Sequence, residues 1–154
     1  MKSNHLKALG LTSALLLTSI GGVLIAPSVK ANPLRESTPL VATKITNATS
    51  FVSVGGHKTN GKVKIVSENG QRYLEFDRGF TTDNGPALKV VLHRSNSVGA
   101  SIAEGDYIAI APLNSFKGTQ RYLIPNNLDL SDYSSVAIWC QQFNVTFGYA
   151  ELPS

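Results

Sequence analysis

The close spacing of turn signals constrains this chain more than any other feature. Gly55-Gly56, Asn69-Gly70, Thr82-Asp83-Asn84-Gly85-Pro86, Gly105-Asp106, Gly118 and Pro125-Asn126-Asn127 punctuate it, and the runs between them are rich in β-branched and aromatic residues. Asn-Gly is the strongest short hairpin signal because both residues tolerate positive φ. Before it, Lys62-Val63-Lys64-Ile65-Val66 alternates charge with apolar bulk, as a strand with one wet face does. Further strands are expected over Thr49 to Val54, Arg72 to Phe76, Leu88 to Leu92, Tyr107 to Ile110, Gln120 to Ile124, Ser135 to Gln141 and Asn144 to Glu151. A short helical turn is expected at Ser131-Asp132-Tyr133, and no segment after the leader carries a helical period. Seven or eight short strands so arranged predict an all-β fold, a single antiparallel β-sandwich or a partly open barrel.

The first 31 residues have the form of a secretory signal. Lys2 and Lys7 precede an apolar run from Ala8 to Ala26, and Val29-Lys30-Ala31 offers small residues at the two positions a signal peptidase reads. The run approaches the ~20 residues that span a bilayer, so an uncleaved anchor is the competing reading. Thr12, Ser13, Thr18, Ser19, Gly21 and Gly22 dilute it and favour cleavage after Ala31. The product is expected to be secreted or periplasmic, with no transmembrane segment after cleavage. Residues 32–47, with Pro33 and Pro39, read as a flexible N-terminal segment, and 48–153 as one β domain.

Removing the leader changes the electrostatics. The chain holds 14 basic and 10 acidic residues; Lys2, Lys7 and Lys30 leave with the signal, so eleven basic residues face ten acidic ones. That near-neutrality excludes a charge-driven nucleic-acid partner. One cysteine, Cys140, excludes an internal disulfide framework, so stability must come from apolar packing.

Four blocks in order carry a family resemblance. The first is Phe51 with Gly56-His57-Lys58-Thr59-Asn60-Gly61-Lys62-Val63. The second is Tyr73-Leu74-Glu75-Phe76, Phe80 and Thr82-Asp83-Asn84-Gly85-Pro86. The third is Leu113, Lys117-Gly118 and Tyr122-Leu123-Ile124-Pro125. The fourth joins Leu130-Ser131-Asp132-Tyr133, Val136-Ala137-Ile138-Trp139-Cys140 and Phe143-Asn144-Val145-Thr146-Phe147-Gly148-Tyr149-Ala150. From about Ala48 to Pro153 the chain resembles the electron-transfer DM-thirteen domain family. Ala87 departs from it, standing where the family often has an acidic residue. The resemblance implies an extracellular β-rich module, sometimes fused to domains that carry electrons across membranes. It also implies a redox part for the cysteine matched by Cys140, with a redox partner protein or a membrane electron carrier.

The residues themselves leave several readings open. Strand alternation puts Cys140 on the face of Val136 and Ile138, opposite Ala137 and Trp139. It is then a small buried hydrophobe, a redox or metal-ligating thiol at the core's rim, or half of an intermolecular disulfide. No Cys-x-x-Cys exists, so dithiol exchange would need an outside thiol, an oxidant or a metal. His57, in its glycine-rich turn, is either an exposed loop residue or the partner that activates Cys140. Two ligands are too few for a dedicated metal site without help from Asp83 or Asp132, and no metal site or cofactor is assigned. His93, next to Leu92, is expected to face solvent, and Trp139, Phe143, Phe147 and Tyr149 to fill the core. Asn47-Ala48-Thr49 and Asn144-Val145-Thr146 fit the glycosylation triplet, the second within a strand. No hydrolase elbow, calcium loop or phosphate-binding loop is complete.

Two function classes follow: an exported redox module acting through Cys140 with His57, or a non-catalytic cell-surface binding or structural module. Expression with the leader is expected to yield a product beginning at Asn32, read by N-terminal sequencing; retention of residues 1–31 would mark an anchor instead.

Overall fold

The computed structural model describes residues 42–153; the expected signal, 1–31, and the first part of the segment 32–47 lie outside the described residues. Turn chemistry divides the described chain into β1 (Lys44–Ile45), β2 (Thr49–Ser50), β3 (Val52–Ser53), β4 (Thr59–Asn60), β5 (Lys62–Glu68), β6 (Gln71–Phe76), β7 (Thr81–Thr82), β8 (Leu88–His93), β9 (Tyr107–Pro112), β10 (Gln120–Ile124), a 3-10 turn (Leu130–Asp132), β11 (Ser135–Cys140) and β12 (Val145–Glu151). Seven strands are five to seven residues long, and the other five hold two residues each. No α-helix occurs among the described residues.

Local signals explain most of these elements. Asn69 and Gly70 both take positive φ, 53° and 73°, so the β5–β6 hairpin closes on a two-residue turn with Glu68 opposite Gln71. The 3-10 turn is capped by Asp129, whose carboxylate accepts from the backbone N–H and the hydroxyl of Ser131. Those two bonds hold the Asp129 carboxyl below the usual carboxylate range. The helical turn expected at Ser131 is thus present, one residue earlier.

The pairing is antiparallel throughout. The first sheet runs β1-β5-β6-β10, with β2 also on β5; the second runs β3-β12-β11-β8-β9; β4 and β7 form a small ladder. The two large sheets face each other as a sandwich and do not close into a barrel. Inward residues alternate along the strands: Val63, Ile65, Leu74, Phe76, Tyr122 and Ile124 from the first sheet meet Leu88, Val90, Leu92, Val136, Ile138 and Cys140 from the second. Burial pushes the Tyr122 phenol up from its ordinary value, partly countered by the hydrogen bond from the Asn114 N–H. On the outer face of the first sheet, Lys64, Glu75, Arg121 and Glu68 form a chain of ion pairs. Each such exposed pair contributes at most about 1 kcal/mol.

Two elements differ from their sequence signals. The run Thr49 to Val54, expected as one strand, splits at Phe51: β2 joins the first sheet through Val63 and Lys62, and β3 joins the second through Gly148 and Tyr149. Phe51 makes the corner. Its N–H donates to Gly61 O, and its ring packs edge-on against Phe76 and Phe80 at centroid distances of 5.2 and 5.4 Å. In addition, β1 pairs with β5 through Lys44 opposite Ser67 and Ile45 opposite Val66, so pairing begins ahead of Ala48.

The small β4–β7 ladder is held where Thr59 meets β12. The Thr59 hydroxyl is shared with Thr82 Oγ1 at 3.0 Å and donates to Phe147 O at 3.0 Å. This approach is open only because residue 148 is glycine: a Cβ there would lie 2.5 Å from Thr59 Cβ. Gly148→Ala is therefore expected to cost about 2–3 kcal/mol by overpacking, read as a lowered urea midpoint in an equilibrium melt.

Candidate functional site

Cys140 ends β11, where the strand stands between Leu88 of β8 and Val145 of β12. Alternation places it inward with Val136 and Ile138, as the sequence pattern predicts, and it is 1% exposed. Its thiol donates to the Pro86 carbonyl at 3.0 Å. The neighbouring Gln141 N–H donates to Ala87 O at 3.2 Å, so the end of β11 is sealed by the segment Asp83–Ala87.

That segment owes its path to unusual backbone. Ala87 has φ of 51°, one of three non-glycine residues in the left-handed region among the described residues, with Asn69 and Asn144. For alanine that conformation costs about 1–2 kcal/mol, carried here by the bonds on either side. At Gly85 a Cβ would lie 2.7 Å from Phe147 Cζ, so glycine is required for the segment to pass the ring.

His57 stands at the other end of the same segment. The turn Gly55-Gly56 takes φ of 64° and 82°, and the His57 N–H donates back to Val54 O at 3.1 Å. The imidazole lies flat on Phe147, with ring centroids 3.7 Å apart and planes 4° from parallel. Its Nδ1 is 3.8 Å from Asp83 Oδ2, an electrostatic contact too long for a hydrogen bond. Asp83 itself is fixed on the backbone: Oδ2 accepts from Lys58 N–H at 2.9 Å, and its own N–H donates to Lys58 O at 3.0 Å.

The two residues singled out from the sequence thus share one support but do not meet directly. Among the described residues, no hydrogen bond joins Cys140 to His57; the contacts run from His57 to Phe147, from Phe147 to Gly85, and from Pro86 to Cys140. Phe147 reaches this position through an irregularity that sequence alternation does not announce. Between Ile138 and Trp139 the β11–β12 register shifts, leaving Phe147 as an extra residue between Thr146 and Gly148. No group of three or more His, Cys, Asp or Glu able to hold a metal occurs among the described residues, and Asp132 lies within the 3-10 turn rather than joining His57.

Three expectations are corrected. His93 is 7% exposed rather than solvent-facing, and its Nδ1 accepts from the Ser95 N–H at 3.1 Å. It does lie opposite Leu92, but residues 94–105 cover that face. Phe143 is 64% exposed at the β11–β12 turn, whereas Trp139 and Phe147 are buried as expected. Asn144 precedes β12 in a turn, not in a strand, and its Oδ1 accepts from Trp139 Nε1 at 2.9 Å and Ile102 N–H at 3.2 Å.

A separate groove of about 310 Å³ opens on the outer face of the first sheet, beside Lys62, Lys64, Glu75 and Asp77. Neither Cys140 nor His57 lines it. Lys64 is bound to Glu75, Asp77 Oδ1 accepts from the Lys62 backbone N–H, and Arg78 also lines the groove.

An antiparallel β-sandwich whose one thiol is held at the end of a central strand defines the class. The family model described as Electron transfer DM13 matches residues 50–152, and the chain belongs to that family. No curated protein and no solved structure matches it.

If Gly85 sets the place of Phe147, a methyl group there must displace the ring. Gly85→Ala is expected to cost about 1–3 kcal/mol. The His57 ring protons, shifted upfield by the Phe147 stack, should move toward ordinary imidazole positions in the NMR spectrum.

Proposed function

We propose that this DM13 domain is an exported electron-transfer module in which Cys140 is the redox-active thiol or ligand and His57 its associated group. Its counterpart is a redox partner protein or a membrane electron carrier. The observation that carries this reading is the shared support: Asp83–Ala87 holds the family's cysteine through Pro86 and stands beside the histidine through Asp83.

Thiolate, not thiol, attacks disulfides and binds metals. A thiol donating to a carbonyl still has its proton, so chemistry at Cys140 requires the Pro86 contact to be given up and Asp83–Ala87 to move. Those steps lie within reach because alanine at φ of 51° is already strained and Gly85 is adjacent. The chain has no second cysteine, so the other half of any exchange comes from outside it.

The 1% exposure of Cys140 favours a second reading, a non-catalytic cell-surface binding or structural module in which the thiol only packs. Labelling kinetics separate the two. Under the electron-transfer reading, a thiol reagent modifies native Cys140 at least about tenfold faster than the protein unfolds globally, because a local opening suffices. Modification that tracks the unfolding rate measured on the same sample, across reagent concentrations and pH, would retire the redox role.

A further inference from the structure

Residues 94–106 join β8 to β9 by a connection long for a hairpin. It lies over the outer face of the second sheet, where Val98 and Ile102 are buried against Val91, Ala137 and Trp139. This cover is fastened at two ends. At the far end, Thr146 N–H donates to Ala100 O at 2.8 Å, and Asn144 Oδ1 accepts from Ile102 N–H as well as from the Trp139 indole. At the near end, Ser135 Oγ donates to Ser95 O at 2.7 Å, and Ser95 N–H donates to His93 Nδ1 at 3.1 Å.

The last bond differs from the others in chemistry. Its acceptor is an imidazole nitrogen, the only side-chain type whose charge ordinarily changes between pH 5 and 8. A proton on Nδ1 converts the acceptor into a donor, setting N–H against N–H in a place that is 7% exposed. We propose that residues 94–105 are a pH-loosened flap over Trp139, latched at its near end by neutral His93 and loosened there when Nδ1 takes up a proton.

The surroundings supply no compensating partner for the charged ring. Across the strands His93 stands beside Tyr107 of β9 and Ser135 of β11, with Glu151 of β12 beyond Ser135. On the flap, Arg94 follows it directly, its guanidinium donating to Gly105 O and Asp132 O and lying over the Tyr133 ring. Glu104 and Asp106 sit at the flap's return, and Arg94 N–H donates to the backbone O of Asp106. Among the described residues, none of these carboxylates forms an ion pair with His93. Carboxylates and phenols ordinarily titrate outside pH 5–8, which leaves the imidazoles and the chain's α-amino group, and only an imidazole's response is abolished by replacing it. His57, on the Gly55-Gly56 turn, is the other imidazole of the described residues and serves as the control.

Trp139 is the sole tryptophan of the chain and lies beneath the flap, so it reports opening directly. Acrylamide quenching of its fluorescence is expected to rise between pH 8 and pH 5, with an open population about tenfold larger at the acid end once the Ser95 N–H has lost its acceptor. His93→Asn keeps an oxygen acceptor at the same distance along the side chain without a titrating proton, and should hold quenching low and flat. His57→Asn should retain the wild-type rise. A flat wild-type profile, or an undiminished rise in His93→Asn, overturns the flap. Should His93→Asn fail to fold, amide exchange in the wild type decides: selective loss of protection at Ser95 and Ile102 at pH 5, with β11 amides still protected, supports loosening. Uniform loss, or none, refutes it.

Discussion

Every residue of β11, from Ser135 to Cys140, is buried, and the rest of the fold is arranged to make that so. A strand covered on both faces needs two apolar layers. The facing sheet supplies one through Val63, Leu74, Phe76 and Ile124. The β8–β9 connection supplies the other, folding back so that Val98 and Ile102 close over Ala137 and Trp139. Small satellite cores beneath long loops are a known way to cover a sheet that lacks a third layer. Here it lets a chain with a single cysteine bury a central strand without any cross-link.

The same burial sets the character of the thiol. Cys140 ends the inward row of β11 within the hydrophobic core, and its thiol donates to the Pro86 carbonyl. Around it the chain accepts local costs: alanine in the left-handed region at 87, an extra residue at 147, and a glycine at 85 that only just clears a ring. Irregularities of this kind concentrate where structure serves something besides packing. All three positions lie within residues 50–152, the span that the DM13 family model matches.

The fold class was readable because its signals are local. Asn69-Gly70 demands a tight hairpin, and the alternation of Val136, Ile138 and Cys140 against Ala137 and Trp139 assigns two faces correctly. What alternation cannot supply is the identity of whatever lies on each face. Alternation puts His93 on the side of β8 away from Leu92, but that side is roofed by a Ser-, Gly- and Ala-rich stretch that resembles solvated loop. Likewise Thr49 to Val54 has an unbroken β composition, and nothing in it marks Phe51 as the point where the strand changes sheets. For the site, His57 and Cys140 could be named, but Phe147 between them depends on a register shift that arises from pairing, not from composition.

The second strand of the sandwich is tied to its last. Thr49, at the start of β2, bonds through its hydroxyl to the backbone O of Glu151, the last residue of β12. A unit whose early and late strands are tied together can be spliced into a longer polypeptide, or strung in tandem with others, without undoing its core. Modular reuse in larger assemblies therefore asks nothing of the interior, and the buried strand travels intact with the cassette.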